Sequence, residues 1–353
     1  MIARNSSFAY KGKSPDIRQV GRELGVRYVL EGSIRKSGNR IRITSQLIDV
    51  LNGSHIWAER YDREVTDIFV LQDEITESVV GSIEPQLFVA EGFRSKNKPP
   101  ADLDAWGCVT RALSHYSRFT EADFSEAIAL LEHAVARDPG YARALALLAH
   151  VRVLVAHNGV GQDGRSIYNA AIELARKAVA LDHDDPWVHM ALGSVALHMR
   201  RHGEAIVELS KAVELNPNFA LAHSNLGRAF AAVGRADEAM EHTARAMRIS
   251  PRDPLKHLFL ARQGAAHFAA ARYCDATACF QKALHERAEF VGALRFLTAM
   301  YALDGDIQRA RATLNDLKRL QPAVSLAWTD EHSEMGDALR GRLIEGLRLA
   351  GLR

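Results

Sequence analysis

A repeat of fixed length constrains this chain more than any other feature of its sequence. Written as two lines of 34 residues, the stretch 186–253 aligns without a gap. His189, Leu192, Gly193, Ala205, Leu209, Ala212 and Pro217 of the first line recur as His223, Leu226, Gly227, Ala239, Thr243, Ala246 and Pro251 of the second, and six of the seven columns are identical. The small residues fall where the two helices of one hairpin approach closely. A proline closes each line, where the second helix has to stop. One hairpin cannot bury its apolar face alone, so a period of this kind implies a stack in which each unit covers its neighbour.

Helical hairpins at a period of 34 with this alternation of small and large positions resemble tetratricopeptide (TPR) repeats. Weaker lines flank the two strong ones. The first carries Trp106, Ala127, Leu131, Ala134 and Pro139, and the second Leu145, Leu148, Ala149, Ala171 and Ala178, with a glycine-rich insertion over 158–164. The fifth carries His257, Leu260, Ala261, Ala276, Phe280 and Ala283, and the sixth Leu294, Leu297, Thr298, Ala310, Leu314, Leu317 and Pro322. The pattern predicts about six hairpins over residues 105–325. A tail over 326–353 holds Trp328 and then Met335, Leu339, Leu343 and Leu347 at close to helical spacing. It is expected to cap the last apolar face.

Residues 1–93 read differently. Ser14-Pro15-Asp16 supplies an N-cap, a proline at the first helical position and an acid in the first turn, and Gly25 stops the helix. Residues 26–35 and 40–48 alternate about Ser37-Gly38-Asn39, and residues 55–61 follow Asn52-Gly53, so three strands with tight turns are predicted. Ile68, Leu71, Ile75, Val79 and Ile83 then mark one face of a long helix. The fold class is therefore an α+β fragment followed by an all-α solenoid, joined by a charged, proline-bearing linker over 94–104.

The stretch IARNSSFAYKGKSPDIRQVGRELGVRYVLEGSIRKSGNRIRITSQLIDVLNGSHIWAERYDRE resembles the second half of the TolB-like domain of bacterial multidomain signalling proteins. The ending LIEGLRLAGLR is also similar to that family. The resemblance implies a domain lying between an N-terminal effector and C-terminal TPR repeats. The effector is usually a class III adenylate/guanylate cyclase domain and sometimes a winged-helix DNA-binding domain. It also implies a strand and helix before Ile2, so the chain reads as a truncated frame or a free-standing remnant. One edge of its sheet is then expected to be open and to favour self-association.

Lys+Arg 45 against Asp+Glu 43 leaves a net charge of +2, so no bulk field argues for nucleic acid or a membrane surface. No apolar run reaches the roughly 18 residues of a membrane helix, and the start lacks the apolar core of a signal peptide. Cys108, Cys274 and Cys279 form no C-x-x-C and fit small core side chains in a reducing compartment. A cytoplasmic protein is expected.

No catalytic constellation is legible. The class III cyclases need paired metal-binding aspartates on a ferredoxin-like sheet, and Asp49 and Asp62 are better read as turn or cap residues. The glycines after Asn158 follow no strand and precede no Lys-Ser/Thr pair, so they make no phosphate loop. His189, His223 and His257 lie 34 residues apart. Equivalent positions in a stack sit about 8–10 Å apart or more, whereas zinc needs its ligands at about 2 Å. They are read as packing at the seams. His198 and His202 stand at i and i+4, but at a helix end. Neither a metal nor a cofactor is predicted.

A surface remains. In a TPR-like stack the first helix of each hairpin lines the inner side. By repeat phase this places Trp187, Met190, Leu221, Arg228, Leu258, Arg262 and Arg295 in a groove. Apolar groups with a recurring arginine suit a protein or peptide partner with an acidic or carboxylate feature. The lysine-and-asparagine clamp of carboxylate-gripping TPR domains is unmatched, since Arg228 stands where an asparagine is expected after Asn225. The function expected is a non-catalytic interaction and regulatory scaffold. The alternatives are a cyclase chain whose catalytic domain lies elsewhere, or a transcription regulator without its winged helix.

Overall fold

A computed structural model describes residues 10, 16–64, 68–95, 103–158 and 164–353. The chain forms two compact units, 1–90 and 91–353. Expectations resting on Ser14, Pro15, the linker residues 96–102 and the insertion 159–163 lie outside the described residues.

In the first unit, helix α1 (Ile17–Leu24) is capped by Asp16, which accepts from Arg18 N at 2.9 Å. The helix stops at Gly25, whose φ of 62° is left-handed. Strands β1 (Tyr28–Ser37), β2 (Arg40–Asp49) and β3 (Ser54–Glu64) form an antiparallel meander in the order β1-β2-β3. Ile34 pairs with Ile43 and Leu30 with Leu47, and across β2 these face Tyr61 and Trp57, with a bulge between Leu47 and Ile48. Helix α2 (Ile68–Ser95) lays Leu71, Ile75 and Val79 against Ile41, Leu47, Trp57 and Tyr61.

A helix about 10–12 Å across covers roughly two strands spaced about 4.8 Å apart. The same face of β1 stays uncovered, with Leu30 48% and Ile34 68% exposed. The two acids weighed as turn residues are so used. Asp49 accepts from Leu51 N and pairs with Arg27, and Asp62 pairs with Arg42 and Arg60.

In the second unit the described residues form six hairpins: α3 (Ala105–Tyr116) with α4 (Glu121–Arg137), α5 (Ala142–His157) with α6 (Gly164–Leu181), α7 (Pro186–His198) with α8 (His202–Leu215), α9 (Ala220–Ala232) with α10 (Ala236–Ile249), α11 (Lys256–Ala269) with α12 (Tyr273–Glu286), and α13 (Val291–Leu303) with α14 (Ile307–Leu320). A short α15 (Leu326–His332) and α16 (Asp337–Ala350) follow. The capping helix starts later than the sequence pattern implies. Met335 precedes α16 and is buried, while Leu343 and Leu347 pack inward as expected. Gly346 allows the approach, because a Cβ there would lie 2.5 Å from Ala299 O. Trp106 is 52% exposed despite its place in the first repeat line, and Cys274 is exposed rather than the small core side chain expected of it.

The strongest repeat columns are the points of closest helix contact. A Cβ on Gly193 would stand 2.6 Å from Leu209 Cγ, and one on Gly227 would stand 2.6 Å from Thr243 Cγ2 and 2.9 Å from Ala239 O. The Gly227→Ala variant is expected to lose about 1–3 kcal/mol by overpacking. Gly203→Ala, whose Cβ meets nothing within 4 Å, gains up to about 1 kcal/mol from helix propensity. Urea unfolding of the pair checks this, and a Gly227→Ala chain as stable as the parent contradicts the packing.

The recurring histidine braces the turn at two of its three positions, while His257 Nε2 has no hydrogen-bond partner among the described residues. His189 Nε2 lies 2.9 Å from His183 O and His223 Nε2 lies 3.1 Å from Pro217 O, each six residues back across the inter-repeat turn. Their Nδ1 partners differ: Glu208 at 2.7 Å for His189 and His242 at 3.0 Å for His223. The hydrogen bond that His189 makes to the Glu208 carboxylate raises the His189 pKa, whereas burial pushes His223 down to about 4.

Candidate functional site on the inner face of the repeats

The repeats wind far enough to meet themselves. Phe119, in the turn of the first hairpin, packs edge-on against His257 and Phe290 of the fifth and sixth, with ring centroids 5.0 and 5.9 Å away. Arg287 donates to the carbonyls of Arg118 and Phe119, and Gln321 Nε2 donates to Asn158 O at 3.0 Å. The first helices of the hairpins therefore enclose an interior, in which a cavity of about 110 Å³ remains. Arg228, Arg262 and Arg295 all line it, together with Leu258, His157 and Glu334.

The chain itself occupies the rest of that interior. Residues 326–336 enter it as a helical turn capped by Ser325 and then run on to Gly336. Arg200 Nε donates to Ser333 O at 2.8 Å, and its Nη2 donates to Glu331 O at 3.2 Å and to Asp330 O. His202 Nε2 lies 2.7 Å from Glu334 O, and Gly336 N donates to Ala232 O at 2.8 Å. The Glu334 carboxylate accepts from Arg228 Nε at 2.8 Å. Side-chain donors of the third and fourth repeats thus hold this segment largely by its main chain.

Electrostatics fix the protonation states around Glu334. Burial pushes its carboxyl up, but the neighbouring Arg228 charge and its hydrogen bond more than reverse this and hold it well below the ordinary value. Arg228 Nη2 also donates to His198 Nε2 at 3.0 Å. That nitrogen must be unprotonated, so Nδ1 carries the hydrogen and donates to Ser194 O at 2.7 Å. Burial, reinforced by Arg228, holds His198 well below its usual pKa, and burial pushes His157 and His150 down to about 3. All three are neutral at pH 7.

The seven groove residues separate into two sets. Arg228, Leu258, Arg262 and Arg295 share the cavity wall. Trp187, Met190 and Leu221 do not. Trp187 stacks on Phe219 at 4.6 Å, Met190 meets Asn225 Nδ2, and Leu221 O accepts from the same amide. The expectation that first-helix positions are open to solvent needs correction, since six of these residues are 7% exposed or less and the Arg228 side chain 11%. The tail meets Arg228 through Glu334 and Arg295 through Trp328, and the next repeat meets Trp187 through Phe219 and Met190 through Asn225. His198 and His202 lie on different helices, one on Arg228 and the other on the Glu334 carbonyl.

Periodicity did not single out Arg200, His157, Phe119 or Glu334. One signal for Arg200 was present. It occupies the column of Gly234, and both take left-handed φ, 57° and 78°. A non-glycine residue there costs about 1–2 kcal/mol, which singles out its side chain. Phe119, at φ 55°, is a second such case. Nothing in the period marks Glu334, which lies beyond the last repeat.

Comparison with known proteins agrees with this geometry. A family model described as TPR repeat matches residues 201–234. The match covers the length of one hairpin, helices α8 and α9, and the solenoid has a TPR-like fold. The described part of human IFIT1, solved as a dimer with m7Gppp-AAAA, superposes with a TM-score of 0.54 at 16% identity, covering 65% of this chain and 53% of that one. A chain of the APC/C hetero-tetramer Cut9-Hcn1 gives 0.51 at 15% identity, covering 72% of this chain and 46% of that one. These are likenesses of fold. "Putative adenylate cyclase 3" of Rhizobium meliloti (strain 1021) is 42% identical over 208 residues, 58% of this chain. The chain spans 35% of that relative's length. Among the described residues no helix is long and apolar enough to cross a membrane.

Proposed function

We propose that this chain is a non-catalytic, partner-binding region of a bacterial cytoplasmic signalling protein. Its first unit is read as part of a TolB-like domain. Its inner TPR face receives an acidic protein segment that takes the place of residues 326–336. Arg228, Arg262 and Arg295 would meet the acidic groups and Leu258 the apolar ones. Trp187, Met190 and Leu221 would act from the seams by fixing the spacing of the helices.

The observation that carries this reading is the seated tail, an acidic stretch held mainly through its carbonyls. A surface that holds one peptide by its main chain suits another of similar charge. The likeness to a protein named as a cyclase supports the signalling context. It also keeps open a cyclase chain whose chemistry lies outside this sequence, which an assay with ATP or GTP and Mn²⁺ addresses.

A fluorescent peptide of the sequence 324–337 tests the reading. It is expected to bind a Glu334→Gln chain, whose own segment is loosened while the Arg200 and His202 donors remain, about tenfold or more tighter than the parent chain, with affinity falling as salt rises. Arg228→Met should weaken that binding. If the peptide binds neither chain, the inner face is a closed core and the reading fails.

For the open β1 edge, with Leu30 and Ile34 exposed, we propose pairing with a second copy. Sedimentation that gives one concentration-independent monomer mass removes that idea.

A further inference from the structure

Two of the three arginines on the interior cavity carry charge that no carboxylate among the described residues contacts. Arg228 is matched by Glu334. Arg262, 6% exposed, donates Nη1 to the neutral Ser224 Oγ at 3.0 Å. Arg295, 7% exposed, donates Nη2 to the neutral Gln321 Oε1 at 2.9 Å and lies 4.6 Å over the Trp328 ring, and its Nε has no partner. Burial pushes Arg262 down to about 9 and Arg295 to about 10, so both remain cations at pH 7. Asp253 is near Arg262 but lies outside the cavity wall. It accepts from Leu255 N, and burial raises its pKa to about 6.

Moving a cation out of water costs several kcal/mol unless a counter-charge shares the site. The cavity also offers the features of a ligand site. Its volume of about 110 Å³ compares with the roughly 150 Å³ of an engineered cavity that takes up benzene. One phosphate or a short dicarboxylate therefore fits, and a nucleotide does not. Phe119, Phe280, Phe290 and Phe296 wall it with hydrocarbon, which lowers the local dielectric and strengthens charge–charge attraction. Guanidinium forks match the planar or tetrahedral oxygens of such anions bidentately.

We propose that this cavity binds one small oxyanion, a phosphate or a short dicarboxylate, between Arg262 and Arg295 while residues 326–336 remain seated. The site goes beyond the partner-binding reading and can hold where that reading fails, because the anion is taken up with the tail in place. Arg228 and Glu334 close one side as a neutral pair, so the bound anion meets a net positive wall.

The test uses the full chain in a chloride-containing, non-phosphate buffer at constant ionic strength. Sodium phosphate and sodium succinate are titrated separately by calorimetry, with melting temperature recorded against anion concentration. One saturable site is expected for at least one of the two anions, and the anion that binds names the ligand shape. Affinity should fall about tenfold or more in Arg262→Met and in Arg295→Met, each checked for helix content by circular dichroism. Arg319→Met, at a side chain 65% exposed, should bind like the parent. If a buried variant fails to fold, the parent titration still decides. Absence of saturable binding of both anions overturns the proposal, and so does equal binding by the parent and the folded variants.

Discussion

Acidification from pH 7 to pH 5 is expected to unfold much of the helical unit, well above the pH at which ordinary carboxylates titrate. His150 and His157 have pKa values pushed by burial to about 3, His198 lies well below its usual value, and burial lowers His223 to about 4 and His257 to about 3. An unfolded histidine titrates near 6.5, so below that pH the unfolded chain binds protons that the folded chain refuses. Stability therefore rises with pH across this window and falls as acid is added. Each such group costs about 1.4 kcal/mol per pH unit.

Two raised groups behave differently, and only the second opposes the trend below pH 6.5. His189, raised by Glu208, contributes stability that is fully present below its unfolded pKa and is lost as pH rises through the folded one. Asp253, raised to about 6, takes up its proton more readily when folded. Below about pH 6 the five histidines less Asp253 leave a slope of about four groups, or roughly 5–6 kcal/mol per pH unit before relaxation of the fold. A second loss follows below about pH 4.5, where the unfolded chain's glutamate takes up a proton that the depressed Glu334 carboxyl, paired with Arg228, still refuses. Urea midpoints measured from pH 7.5 to pH 5 check this, and a flat profile over that range contradicts the buried neutral histidines.

Breaking the tie between Arg228 and Glu334 from one side is expected to cost more than removing it from both. The two side chains are 11% and 17% exposed and 2.8 Å apart. Arg228→Met leaves Glu334 buried beside neutral histidines, and the loss should be about 3–5 kcal/mol. Glu334→Met leaves a third unmatched guanidinium in the interior, with a similar loss. The double variant replaces the pair by apolar volume and should recover most of the stability, since a buried pair is often roughly neutral against a hydrophobic replacement. A double-mutant cycle by urea unfolding reads the coupling. Additive losses with no recovery would mean that the two side chains do not share one buried environment.

The fold was legible wherever physical chemistry repeats at a fixed interval. The Gly193/Gly227 and Ala205/Ala239 columns are contact points between paired helices, and no other residue type fits the glycine positions. The three strands followed from alternation and from glycines at 38 and 53, both with positive φ. Helix ends were less legible, because Asp16 and Ser14 are equally good caps on paper. The site was legible only in part. Repeat phase brought Arg228, Leu258, Arg262 and Arg295 to one wall. It could not say that the superhelix closes through Phe119 and Arg287, or that residues 326–336 fill the interior. Those contacts join positions more than 100 residues apart, and local period carries no record of them.

Hydrogen exchange at residues 326–336 tests the central claim most directly. With the segment seated, the Gly336 amide, bonded to Ala232 O, and its neighbours should be protected about as long as the helices of the third and fourth repeats. Glu334→Gln should speed their exchange and leave α7 protected. Exchange in the parent chain at the rate of a free peptide would contradict an inner face occupied by its own tail.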